Sequence, residues 1–304
     1  MRPRPVRNAA VVAIGACATL ILATCASTPA SRASGTAADR TIITAATVPG
    51  GSARWSPAQS ARWQWVLDHP LRLDNQRDMG TAWLNADGQP GERPTIYDID
   101  GFANDAGTVT ALHDMGARVI CYIEVGGLEP NRPDGSAFPA AAIGRPVDGY
   151  PEERYLDIRS ADVLRLVLAR VEMCAAKGFD AVEPDLDDTF AADTGFALTQ
   201  RDSIAFNRAV AARAHELGMS IALKNGDEPA FTEAMQPFVD FALVEQCFEF
   251  DSCDAYRVFV DAGKAVLEVE YNLRPDQFCP QAGDLSFSAV LHDPALAGGG
   301  TPCR

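Results

Sequence analysis

Two rhythms of apolar and polar positions alternate along most of the chain. From about Ser56 onward one unit recurs. A helical stretch closes on Gly, two or three residues follow, and a short β-branched apolar run ends in a charged or amide residue. Leu112–Gly116 leads into Arg118–Glu124, and Cys174–Gly178 leads into Phe179–Asp185. His215–Gly218 leads into Met219–Asn225, and Phe259–Gly263 into Lys264–Glu270. Gly suits the left-handed residue that closes a helix. Runs that are apolar on both faces are the mark of a parallel sheet covered on both sides.

The helices between these runs carry their own start signals. Ser160 is placed to cap a helix from Ala161, with Val163, Leu164, Val167, Leu168 and Val171 as its buried face. Thr199-Gln-Arg-Asp202 has the form of a capping box, opening a helix that buries Phe206, Val210, Ala214 and Leu217. Trp63–Leu67, Thr95–Ile99, Phe241–Glu245 and Leu285–Val290 supply further strand patterns. Eight strands alternating with helices predict an α/β fold, a (β/α)8 TIM barrel in a single domain spanning 56–304. A doubly wound open sheet is the alternative. No Gly-rich fingerprint follows the first strand, and no phosphate-loop motif occurs.

The N-terminus breaks the rhythm. Arg2, Arg4 and Arg7 precede an apolar run from Ala9 to Ala23, and no acid occurs before Asp39. This is the pattern of an export signal over residues 1–24. The run ends at Cys25, as in a bacterial lipobox, so Cys25 is the candidate for lipidation and the one expected membrane anchor. Residues 25–55, rich in Ala, Ser, Thr and Gly, read as a disordered tether. The expected location is therefore the cell envelope or the exterior. The 304 residues carry 26 Lys+Arg against 41 Asp+Glu, a net charge of −15, and removing the three N-terminal arginines takes it to −18. Such a chain repels nucleic acid and favours cationic or neutral partners.

Six cysteines follow the tether, and export makes them disulfide candidates. Cys247 with Cys253 would close a small loop, and Cys279 with Cys303 would pin the C-terminus. Cys121 and Cys174 read either as free core thiols or as a pair. The four scattered histidines and the absence of CxxC argue against a zinc site, and no cofactor is called for.

Active sites of (β/α)8 barrels sit at the C-terminal ends of the strands. There the sequence places Asp98 and Asp100, Glu124, Glu183 and Asp185, Lys224 and Asn225, Glu245 and Gln246, and Glu268 and Glu270. Alternation puts Glu183 and Asp185 on one side of their strand, and likewise Glu268 and Glu270. Buried unpaired carboxylates are costly, so such a ring needs a use, or else it caps helices and pairs with Lys and Arg. Nucleophilic triad chemistry needs Ser or Cys beside His, and no GxSxG is present. The acid run Glu183–Asp188 lacks the Gly and terminal Glu of a calcium loop. Glycoside hydrolysis needs two carboxyl groups and side chains that hold sugars. Trp63, Trp65, Trp83, Tyr97 and Tyr122 are candidate stacking faces, with ordinary core as the alternative.

Eight segments in order resemble one known family: Trp63–Trp65, Tyr97–Asp100, Val119–Ile123, Tyr155–Arg159, Gly178–Asp185, Leu223–Asn225, Val244–Phe248 and Val269–Tyr271. The resemblance is to the endo-α-1,4-polygalactosaminidases, glycoside hydrolase family 114, over about residues 60–292. It implies a (β/α)8 barrel that cleaves α-1,4-linked galactosamine polymers. It implies Asp185, after the fourth strand, and Glu245, after the sixth, as the catalytic pair. The family usually has Asn where this chain has Leu186, and the stretch from Leu71 to Pro94 is longer than usual. With the resemblance, Asp100, Tyr122, Glu124, Glu183, Lys224, Asn225 and Glu270 become the candidate substrate-binding residues. Lys224 would keep a neighbouring carboxylate ionised. The expected partner is a cationic amino-sugar polymer. A non-catalytic carbohydrate-binding lipoprotein on the same barrel is the competing reading.

Overall fold

The computed structural model describes residues 54–82, 84, 88–89 and 92–303. The expected signal, Cys25, the tether up to Ala53, and Trp83 lie outside the described residues.

Eight parallel strands form the barrel wall. They are β1 (Trp63–Val66), β2 (Ile96–Asp100), β3 (Arg118–Glu124), β4 (Ala181–Asp185), β5 (Ser220–Lys224), β6 (Phe241–Glu245), β7 (Val266–Glu270) and β8 (Ser288–Leu291). Each pairs in parallel with the next from β1 through to β8. Helices α1 (Ala106–Asp114), α2 (Ala161–Lys177), α3 (Gln200–Glu216), α4 (Pro229–Met235), α5 (Arg257–Asp261) and α6 (Pro275–Asp284) follow β2 to β7 in turn. The start signals act as the pattern predicts. Ser160 accepts the Val163 N–H, and Thr199 and Asp202 form a reciprocal capping box. Gly116, Gly178, Gly218 and Gly263 take the left-handed backbone (φ 79, 90, 83 and 76°) that ends their helices.

The first and last strands are laced together by the C-terminal segment. Thr301–Pro302 pairs antiparallel with β8, while Val66 bridges Ala297 and the Leu67 N–H donates to Leu296 O. Gly298, Gly299 and Gly300 all have positive φ there, and a Cβ at Gly300 would sit 2.8 Å from Leu291 O. The Cys279–Cys303 disulfide ties this segment to α6. The last strand starts at Ser288, not Leu285, because Leu285 caps α6 and Ser286 turns left-handed (φ 59°). A small antiparallel sheet of Gly127–Leu128, Ile143–Val147 and Tyr150–Leu156 is inserted between β3 and α2. The sequence reading did not anticipate it.

Alternation along the strands sorts two cores. Ile96, Ile120, Ala181, Ala222, Leu243, Leu267 and Val290 fill the barrel with Trp63 and Trp65. Ile99, Val119, Val182, Leu223, Val244 and Val266 face the helices. Trp63 and Trp65 are core residues rather than sugar-stacking faces, since both are buried inside the barrel and donate to Ser288 O and Glu183 Oε2. Tyr97 points to the helix layer, where its hydroxyl donates to Met79 O.

Candidate active site

At the C-terminal mouth the inward parity of β4, β5 and β6 brings Glu183, Asp185, Lys224 and Glu245 together. The Lys224 ammonium is the hub: Nζ lies 2.5 Å from Glu183 Oε1, 3.2 Å from Asp185 Oδ1 and 3.4 Å from Glu245 Oε2. It also sits 4.8 Å from the centre of the Trp65 ring, a cation–π contact. Burial alone would strip the lysine of its proton. Asp185, Glu183 and Glu245 overrule burial and hold its pKa well above the ordinary value. Lys224 therefore stays cationic.

The two outer carboxylates are further held by phenols and an amide. The Tyr122 hydroxyl donates to Asp185 Oδ2 at 2.9 Å, and Tyr271 donates to Glu245 Oε1 at 2.5 Å. Asn225 Nδ2 donates to Glu245 Oε2 at 3.0 Å, while its Oδ1 accepts the Glu245 N–H at 2.9 Å. Burial, reinforced by the carboxylate each phenol touches, raises both tyrosine pKa values well above normal, so both remain donors. Tyr271 is a site residue that the sequence reading missed. It shares the inward parity of Leu267 and Val269, a signal that becomes readable once that face of the strand is known to line the barrel.

Beneath the hub lies a fourth carboxyl. Asp98 is fully buried, and no N–H or O–H reaches either of its oxygens. Burial, then the charge of Glu183, drives its pKa well up, so a protonated Asp98 donates to Glu183. Glu183 is thus enclosed by Asp98, Trp65 and Lys224, and is a support for the lysine rather than a surface for sugars.

Two other expected sugar ligands lie elsewhere. The Asp100 carboxylate accepts the Phe102 and Ala103 N–H groups and receives Arg132 at 2.5 Å, so it braces the loop after β2. Glu270 faces the helix layer, on the parity of Val266, and accepts the Phe248 and Glu249 N–H groups. Glu124 remains beside the site, its backbone paired with Asp185. With Glu129 and Glu153 it forms a cluster whose oxygens lie within 4.8 Å of one another. Arg132 clamps Glu129, while Glu124 Oε2 is buried without a donor. Burial, then the charge of Glu129, pushes Glu153 up to about 7, and Glu124 is raised by burial, Glu129 and Glu153. Glu129 and Glu153 come from the inserted sheet and its approach, and the sequence pattern gave no sign of them.

A barrel with buried, cation-braced carboxylates at its strand ends is the architecture of a glycoside hydrolase. The comparisons specify it. Residues 44–304 match the glycoside-hydrolase family GH114, and the chain belongs to that family. It is similar to Ega3 of Aspergillus fumigatus, crystallised in complex with galactosamine, at 33% identity and a TM-score of 0.73. That alignment covers 84% of this chain and 100% of Ega3. The glycoside hydrolase domain of PelA from Pseudomonas aeruginosa shares the fold at 14% identity and a TM-score of 0.54, over 68% of this chain and 90% of that one. No curated protein matches the sequence.

Proposed function

We propose that this glycoside hydrolase is exported and cleaves α-1,4-linked galactosamine polymers with Asp185 and Glu245 as its carboxylate pair. The observation that carries the reading is the single ammonium of Lys224 bridging Asp185 and Glu245 at the barrel mouth. The Lys224 ammonium and the Tyr122 hydroxyl hold the two oxygens of Asp185, fixing the carboxyl where a nucleophile or an oxocarbenium stabiliser must stand. Glu245, whose side chain is 9% exposed against 1% for Lys224, stands nearer solvent, where a general acid/base exchanges its proton. Two oxygens within 3.4 Å of one nitrogen are too close for most of the ~6.5–9.5 Å range of inverting enzymes, which favours a retaining route through Asp185.

The substrate class is supported by the similarity to Ega3 and by the acid cluster Glu124, Glu129 and Glu153 beside Asp185. Ammonium groups on a sugar chain would offset its surplus of negative charge. Export and the domain division 1–24, 25–55 and 56–304 rest on the basic and apolar N-terminal pattern. The test is mass spectrometry of oligomers released from galactosamine polymers in free-amine and fully N-acetylated forms. Wild type should cleave the free-amine polymer better. Asp185→Asn and Glu245→Gln should each lower kcat by about 10²- to 10⁴-fold or more while remaining folded. Near-normal turnover in either variant would remove that residue from the pair, and equal cleavage of the acetylated polymer would remove the cationic substrate.

A further inference from the structure

Strand β7 grips the Glu245 segment from both faces of the sheet. Inward, Tyr271 just beyond its end reaches the Glu245 carboxylate. Outward, Glu270 Oε1 accepts the N–H groups of Phe248 at 2.8 Å and Glu249 at 3.1 Å, in the turn that follows Glu245. That turn begins with a left-handed Gln246 (φ 59°), whose N–H donates to Val269 O, and it is closed by the Cys247–Cys253 disulfide. Glu268 lies two residues earlier on the same face of β7. Both side chains are fully buried, and no N–H or O–H reaches either Glu268 oxygen or Glu270 Oε2. Among the described residues no Lys, Arg or His forms an ion pair with either. Two residues apart on one buried face of β7, the two carboxyl groups are each other's neighbours. Two acceptors in contact form a hydrogen bond only with a proton between them.

We propose that Glu268 and Glu270 are a proton-sharing carboxyl pair that positions the turn after Glu245, and with it the Glu245 carboxylate. Glu268 carries the proton and donates to Glu270, and the orientation this imposes aims Glu270 Oε1 at the Phe248 and Glu249 N–H groups. Both are positioning residues, and their effect on turnover rests on the catalytic reading of Glu245 given above. Burial, then the charge of Glu270, raises Glu268 well above its usual range, and burial also raises Glu270. The charged group facing the pair from the turn is Glu249, whose like charge opposes ionisation. A carboxyl raised in the folded state stabilises fully below the unfolded value near 4.5 and loses that contribution as pH rises toward the folded value.

Hydrogen exchange at the Phe248 and Glu249 amides, melting temperature from pH 4.5 to 9, and kcat with KM on an amino-sugar polymer test the pair. Glu270→Ala should speed exchange at these two amides by about 10- to 100-fold, the worth of a hydrogen bond to a charged acceptor. It should lower kcat by about 10- to 100-fold with little change in KM, as a displaced catalytic group does. Glu270→Gln keeps an acceptor oxygen and should restore protection and most of kcat. Glu268→Gln donates at every pH and should flatten part of the fall in melting temperature with rising pH. Unchanged exchange in Glu270→Ala, or a wild-type pH slope in Glu268→Gln, would overturn the proposal. If Glu270→Ala does not fold, the Glu268→Gln slope decides it. A wild type inert on the polymer would overturn the catalytic reading, while exchange and melting still judge the pair.

Discussion

Three residues that leave the barrel strands carry left-handed backbones without being glycine: Leu186 after Asp185, Asn225 after Lys224, and Gln246 after Glu245 (φ 59, 50 and 59°). Each turns the chain sharply at the mouth just after a hub residue. Such conformations cost about 1–3 kcal/mol and persist where surrounding structure over-determines them. The turn at Leu186 is pressed against Gly126, where a Cβ would sit 2.0 Å from Leu186 O, so only glycine fits opposite it. Asn tolerates this backbone better than Leu. Leu186→Asn should therefore stabilise the fold by about 0.5–1 kcal/mol, less than the full strain because the Leu186 side chain also packs on Gly127. Thermal melting reads this as a rise of about 1–4 °C, and an unchanged or lower midpoint would show that the side-chain packing outweighs the strain.

At the scale of elements, parity within a strand decided roles that residue type could not. Glu183 and Asp185 share the inward face of β4, as alternation predicts. Glu268 and Glu270 also share a face, but it is the outward one, so β7 contributes Tyr271 to the site instead. The Cys121 and Cys174 alternatives resolve in favour of a pair, which ties outward-facing Cys121 of β3 to the buried face of α2. The other two pairings suggested by spacing also form. Gly101 is required beside the first bridge, because a Cβ there would lie 2.4 Å from Cys121 Sγ. A crosslink closing a 53-residue separation restricts the unfolded chain by about 4 kcal/mol. The double change Cys121→Ala and Cys174→Ala should cost about 2–4 kcal/mol, read as a lower urea midpoint with a steeper slope, because the freed unfolded chain exposes more surface.

For the whole molecule, buried carboxyls with raised pKa values outnumber those held down. Burial raises Asp98, Glu124, Glu153, Glu183, Asp187 and Glu268. Their stabilising contribution is complete below the unfolded values near 3.8 to 4.5 and is lost as pH rises through the folded values. Asp78 and Asp240 run the other way. Burial opposes their ionisation, but the Arg72 and His69 partners of Asp78 and the His215 partner of Asp240 hold them below 3.8. Their contribution is present above about 3.8 and is lost on further acidification. The melting temperature should therefore peak at mildly acidic pH, between about 4 and 6, decline through neutrality and drop steeply below pH 3.8. A maximum above pH 7 would contradict this balance.

The barrel was legible because its causes are local. Helix caps at Ser160 and Thr199, left-handed glycines after the helices, and short runs apolar on both faces act within a few residues, and their order specifies a parallel sheet wrapped in helices. The carboxylates at the strand ends were legible for the same reason. Which of them converge was not, because a fully buried strand is apolar on both faces and its sequence does not say which face turns inward. Barrel curvature made that choice. It set Lys224 among Glu183, Asp185 and Glu245, and Tyr271 against Glu245. It sent Glu270 to the helix layer, and left Asp100 to the Arg132 of a loop 32 residues away in the chain.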